Sequence, residues 1–122
     1  MSLENTQSID IIVHALDKRP NGVDLLIIDS GDIADELRRY NLFIEKIGVY
    51  VNYVMSGEFK VEFPNTSPTN VVIRTFCRTP PNDAMQQVHA IYPTGDRINR
   101  IPVVFRDLAD FVGELGSPVS DD

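Results

Sequence analysis

The stretch GEFKVEFPNTSPTNVVIRTFCR, Gly57 to Arg78, decides the fold. In EFKVEF, Phe59, Val61 and Phe63 alternate with Glu58, Lys60 and Glu62, the period-two pattern of a half-exposed strand. The loop PNTSPTN then leads to VVIRTFCR, Val71 to Arg78, whose β-branched content predicts an antiparallel neighbour for that strand. Two strands joined by a turn make a hairpin, and a hairpin here implies a mainly antiparallel sheet.

Working outward, SIDIIVHAL (8–16) and VDLLIID (23–29) are apolar and β-branched, with DKRPNG between them. Pro20 presets a turn, and Asn21 with Gly22 tolerates positive φ, so a first hairpin is expected. From Ile33 to Ser56 the chain is periodic. Asp32 is read as its N-cap, with Asp35 three residues on, and Gly57 as the left-handed residue that ends the helix. A second helix is expected from Pro80-Pro81, carrying Met85, Val88 and Ile91 until Pro93. Ile101 to Arg106 reads as a strand that Pro102 pushes toward an edge, and Asp107 as the cap of a short helix burying Leu108, Phe111, Val112 and Leu115. The expected class is α+β, a mainly antiparallel sheet with helices on one face in the order ββαββαβα. It forms a single domain over 8–115, with flexible tails at 1–7 and 116–122.

The segment EKIGVYVNYVMSGEF, Glu45 to Phe59, followed by a Pro-containing turn and VVIRTFCRTPP, resembles a family of small bacterial proteins known only as a domain of unknown function. In that family a helix of the type EKI..Y..Y..SGE runs into a strand hairpin, and the opening SID before an apolar strand is similar too. The resemblance covers residues 8 to 91. An Asn is usual in the family where this chain has Gly48, and the stretch after Pro93 departs from the pattern. The resemblance implies a fold neighbourhood and carries no activity, cofactor or catalytic residue.

Composition narrows the function classes. The 122 residues are 43% hydrophobic and 24% charged, an ordinary globular balance, with a formal net charge of -7. An acidic chain lacks the basic surface that general nucleic-acid binding draws on. Cys77 is the only cysteine, which excludes an intrachain disulfide and suits a reducing, cytoplasmic setting. No stretch has the roughly 18 apolar residues of a membrane span, and MSLENTQS has no signal-like apolar region.

Candidate chemistry is weighed against plainer roles. Asp24, Asp29, Asp32, Asp35 and Glu36 suggest a cation site, but their spacing is not that of a calcium loop, and capping accounts for the last three; no metal and no cofactor is expected. His14 and His89 lie on different elements. His14 with Asp10, or with Ser30 or Cys77 as nucleophile, could in principle support catalysis near the Asp29–Asp32 turn, yet no nucleophile elbow or phosphate loop accompanies them. Cys77, in the register of Val71, Ile73 and Thr75, reads as a core thiol. Arg74, Phe76 and Arg78 share the other strand face and could clamp an anion or a base, or simply be a solvated face.

The long helix says most. Ile33, Leu37, Tyr40, Ile44, Ile47, Val51 and Val54 form the expected core stripe, and Leu42, Val49 and Tyr53 fall together on the opposite side, with Phe43 and Tyr50 bridging. An apolar second face at Leu42, Val49, Tyr53 and Tyr50 asks for a cover, and a homodimer supplies one. The expected function is a non-catalytic, self-associating interaction or structural module. The alternatives are a small-ligand-binding domain with a pocket between helix and sheet, and a small enzyme near His14.

Overall fold

The computed structural model describes residues 3–67, 70–88, 90–91 and 100–110, without the side chains of 90, 91 and 100. Along the chain run β1 (Ile11–His14), β2 (Val23–Asp29), α1 (Glu36–Val54), α2 (Gly57–Glu62), β3 (Val71–Cys77), α3 (Asp83–Gln86), β4 (Ala90–Ile91), β5 (Arg100–Ile101) and β6 (Val103–Asp107), then a 3-10 turn at Leu108–Asp110. The expected order ββαββαβα is replaced at one decisive place. Residues 58–63 are not a strand: Gly57–Glu62 is helical, N-capped by the Ser56 hydroxyl, which accepts from the Phe59 amide. Phe59 and Phe63 stack with ring centroids 5.4 Å apart, an i, i+4 pair on one helix face, while Val61 is 81% exposed. Apolar residues at i, i+2 and i+4 contain an i, i+4 pair, so six residues satisfy both periods and the Ser56 cap chooses the helix.

That one element changes the sheet. With 58–63 helical, β3 is reached from β2 by a crossover through α1 and α2 rather than by a hairpin from 58–63, and a crossover of that length returns the chain parallel. The sheet order is β1-β2-β3-β6, antiparallel only between β1 and β2 and parallel for β2-β3 and β3-β6. The α+β class stands, with a mixed sheet in place of the mainly antiparallel one. The first hairpin forms as expected, Ile11 opposite Leu26 through His14 opposite Val23. Lys18 and Asn21 take positive φ; Gly22 is needed for close approach instead, since a Cβ there would sit 2.8 Å from that of Ala15.

Other boundaries move for local reasons. Asp35, not Asp32, caps α1, accepting from the amides of Leu37 and Arg38, and Asp32 accepts from the Ser30 hydroxyl instead. Gly57 has no positive φ and opens α2. The expected helix from Pro80 to Ile91 shrinks to α3, capped by Asn82 with Met85 buried, and Ile91 belongs to β4, paired with Arg100 of β5. Pro102 splits the last strand into β5 and β6; its carbonyl still accepts from Ile73, and β6 is the expected edge. Asp107 accepts from Ala109 at the 3-10 turn, while Phe111, Val112 and Leu115 lie outside the described residues.

Two cores flank the sheet. Val23, Leu25, Ile27, Val71 and Ile73 pack against Phe43, Ile47, Tyr50, Val51 and Val54 of α1, with Phe59, Met85 and Ile101. Leu3 and Thr6, ahead of the expected domain start, are also buried. On the other face Leu26, Ile28 and Phe76 form a smaller cluster with Ile11, Val13, Leu16 and Leu108. β2 is buried along its whole length, as a central strand covered on both faces must be. Among the described residues no helix is long and apolar enough to cross a membrane.

Candidate functional site

Among the described residues, the carboxylates of Asp10, Asp24 and Asp29 are each engaged in a buried ionic network. Asp10 accepts from the Lys46 ammonium at 2.7 Å and, through its other oxygen, from the Ile28 amide at 2.9 Å. The side chains of this pair are 1% and 0% exposed. Lys46 also donates to the Asn5 carbonyl, and the Tyr50 hydroxyl accepts from the Asp10 amide while donating to the Leu26 carbonyl at 2.6 Å. Asp10 therefore extends the β1 ladder with a side chain just before the strand itself begins. In the second network Asp24, fully buried, accepts from Arg74 (2.5 Å), Arg19 (2.9 Å) and the Leu16 amide, locking the hairpin turn to β3. The Arg19 guanidinium also holds the Asp17 carboxyl below the usual carboxylate range through a hydrogen bond. In the third, Arg39 donates to Asp29 and to the carbonyls of Thr79 and Pro80, tying α1 to the end of β2 and the loop after β3.

The acidic group thus disperses. Asp24 and Asp29 serve different networks, Asp35 caps α1, and Glu36 accepts from Asn82. Among the described residues no group of three His, Cys, Asp or Glu side chains is placed to hold a metal ion. His14 and the Asp29 turn do not meet: His14 pairs with Val23, and Asp29 lies six residues further along β2, roughly 20 Å away. Asp10 is spent on Lys46 and Ile28 rather than on His14, and His89 lies outside the described residues. Cys77 is buried, and that burial, with the Asp29 charge adding and Arg39 opposing, pushes its thiol up to about 12. A thiol held protonated is a poor nucleophile, so Cys77 packs as a small apolar group.

The expected Arg74, Phe76 and Arg78 clamp comes apart. Its strand face is not solvated: Arg74 is buried against Asp24, and Phe76 is fully buried in the second core. Only Arg78 reaches solvent. The space expected to form a pocket between α1 and the sheet is filled by Phe43, Tyr50, Leu25, Ile27 and Ile73, each 0% exposed.

The outer face of α1 is also turned from its expected position. The buried residues of the helix are Arg39, Phe43, Lys46, Ile47, Tyr50, Val51 and Val54. At about 100° per residue their mean direction lies about 70° from that of the expected stripe. The cause is polar. Arg39, Lys46 and Tyr50 must face inward to reach Asp29, Asp10 and Leu26, and Leu37 and Ile44 are rolled out to 69% and 38% exposure. Of the expected interface, Tyr50 sits in the core, Leu42 and Tyr53 are half-buried against it, and Val49 is half-buried. Tyr53 stacks edge-on against Phe59 and donates to Glu62, so α2 engages that flank. The apolar side chains left outward on α1 and just past its end are Leu37, Ile44 and Met55.

Sequence reasoning passed over Arg39 and Lys46, because it assigned charged residues to the surface, and it saw Asp10 only as a partner for His14. Their signal is the spacing: Arg39, Phe43, Lys46 and Tyr50 follow one another at four, three and four residues, a single helix face. Residues 1–94 match the model of a family described as Family of unknown function (DUF6572), and the chain belongs to that family. The match takes in Asp10, Lys46 and Tyr50 of the buried network and stops before β5 and β6. No curated protein and no solved structure matches the chain.

Proposed function

We propose that this domain is a non-catalytic interaction module that pairs with a second copy of itself through the outer face of α1. The observation that carries the reading is the strip Leu37, Asn41, Ile44, Gly48 and Met55, spaced four, three, four and seven residues apart along one side of the helix, with Leu37 at 69% and Met55 at 48% exposure. This is the spacing of a helix-pairing seam. Gly48 has open space where a side chain would stand, which lets a second helix approach closely, and Asn41 is a polar seam residue of the kind that sets register. Leu42, beside Leu37 and Asn41 at a shallow recess, widens the surface, and half-buried Val49 lies two turns further along that same flank.

The spent state of the ionisable groups supports a binding role over a catalytic one. The carboxylates nearest the expected enzyme site are tied to Lys46, Arg19, Arg74 and Arg39, and the thiol is protonated. A cytoplasmic setting suits a chain whose lone cysteine is a free thiol in the core. Burying three large apolar side chains per subunit supplies on the order of several kcal/mol, comparable with the cost of association, so the dimer is reversible. Sedimentation equilibrium from about 10 μM to about 1 mM tests it. The wild type shifts from monomer to dimer across that range, and Ile44→Glu stays monomeric with an unchanged urea midpoint. A wild type that is monomeric throughout overturns the proposal, as does an Ile44→Glu variant that dimerises as the wild type does.

A further inference from the structure

The three parallel strands finish side by side, Asp29 opposite Cys77 and Cys77 opposite Asp107. Parallel strands that end together leave a crevice between the loops beyond their carboxyl ends. Here a slot of about 250 Å³ opens at that end, lined by Cys77, Phe105 and the Pro80-Pro81 pair together with Arg78, Arg106 and Asp107. An aromatic ring, two prolines and a thiol held protonated by burial give it an apolar body.

Its charged groups are not equivalent. Asp107 accepts from the Ala109 amide, and Arg106 lies 3.9 Å from Asp110. Arg19, Arg38, Arg39 and Arg74 each hold a carboxylate as well. Arg78 is the exception: exposed, with no acidic partner among the described residues. Its backbone is nevertheless anchored, since its amide donates to the Asp29 carbonyl at 2.9 Å. Gly31, at φ +82, leaves room for its stem, because a Cβ there would stand 3.2 Å from the Arg78 Cδ. A fixed base and a free guanidinium fork beside an apolar slot are the parts of a carboxylate receptor.

We propose that this slot binds a small monocarboxylic acid with a flat apolar body, the carboxylate on Arg78 and the body against Phe105 and the prolines. The volume lies just under the range of about 300–1,000 Å³ usual for ligand pockets, which excludes a nucleotide and admits a molecule the size of benzoate. The reading is independent of α1 pairing, because none of the slot residues lies on that helix.

The test is a titration of the full-length, ¹⁵N-labelled protein with benzoate and phenylacetate, followed by amide chemical shifts, with benzamide as the uncharged isostere. Saturable shifts at Cys77, Arg78, Phe105, Arg106 and Asp107, with a Kd below about 10 mM, are expected. In Arg78→Gln and with benzamide the affinity falls at least about tenfold, and Arg78→Lys, which keeps the charge without the fork, lies between. Because the Arg78 side chain is exposed, the variants keep the wild-type spectrum elsewhere. The absence of saturable shifts at these amides, or equal affinity for benzamide and benzoate, or full affinity in Arg78→Gln, overturns the proposal.

Discussion

Lys46→Met is the substitution that most directly probes what holds this fold together. Methionine nearly matches the lysine stem in length and volume, so packing is largely kept and the change removes the ammonium. That ammonium donates to the Asn5 carbonyl at 2.8 Å and to Asp10 at 2.7 Å, with both side chains of the pair sealed from solvent. After the substitution the Asp10 carboxylate keeps one described donor, the Ile28 amide. A buried ion left without its partner costs about 3–5 kcal/mol, a large part of the roughly 5–15 kcal/mol that stabilises a domain of ordinary size. With an unfolding entropy of about 2.1 cal/mol/K per residue over 122 residues, each kcal/mol is worth about 4 °C, so Tm falls by about 12–20 °C. Urea unfolding at pH 7, followed by far-UV circular dichroism, measures the loss. A double-mutant cycle identifies its origin. Asp10→Asn keeps a carbonyl oxygen for the Ile28 amide and removes the charge, so Asp10→Asn/Lys46→Met costs at least about 1–2 kcal/mol less than the two single changes added together. A Lys46→Met loss under about 1 kcal/mol, or strictly additive costs, would refute the reasoning and mean that the pair is hydrated in solution.

Two further outcomes follow from other buried groups. Thr75→Val raises stability by about 1 kcal/mol in the same urea assay, because the buried Thr75 hydroxyl has no hydrogen-bond partner among the described residues and valine fills its shape without an unmet polar atom; a loss of similar size would mean that the hydroxyl is satisfied in solution. The Cys77 thiol, pushed from 9.0 up to about 12, binds its proton more tightly folded than unfolded, so this group leaves stability unchanged below pH 9 and lowers it as pH rises from 9 toward 12; Cys77→Ala removes that part of the alkaline slope, and an identical slope in the variant would contradict the assignment.

The helix α1, the first hairpin and the core placement of Cys77 were legible because each rests on local chemistry. Nineteen residues of helical periodicity leave no alternative reading, and Pro20 and Asn21 between two β-branched runs specify a turn at short range. Phe59, Val61 and Phe63 were not legible in the same way. Their alternation is compatible with both periods, and the Ser56 cap and the ring stack of Phe59 on Phe63 decide between them. The ligand slot was half visible. Arg78 stands out in the strand, but its company with Phe105 and Pro80 exists only because β6 lies beside β3.

The sequence by itself determined the α+β class, the hairpin, the long helix and the family membership, all of which depend on neighbours a few residues apart. Only the tertiary structure decided that β2, β3 and β6 run parallel and which way α1 faces. Strand direction follows from what the connection between two strands folds into. The facing of α1 was set by buried charges: Lys46 and Arg39 find Asp10 and Asp29 across the fold, and pairing them turned the helix away from its most apolar stripe and left Leu37 and Ile44 in the solvent.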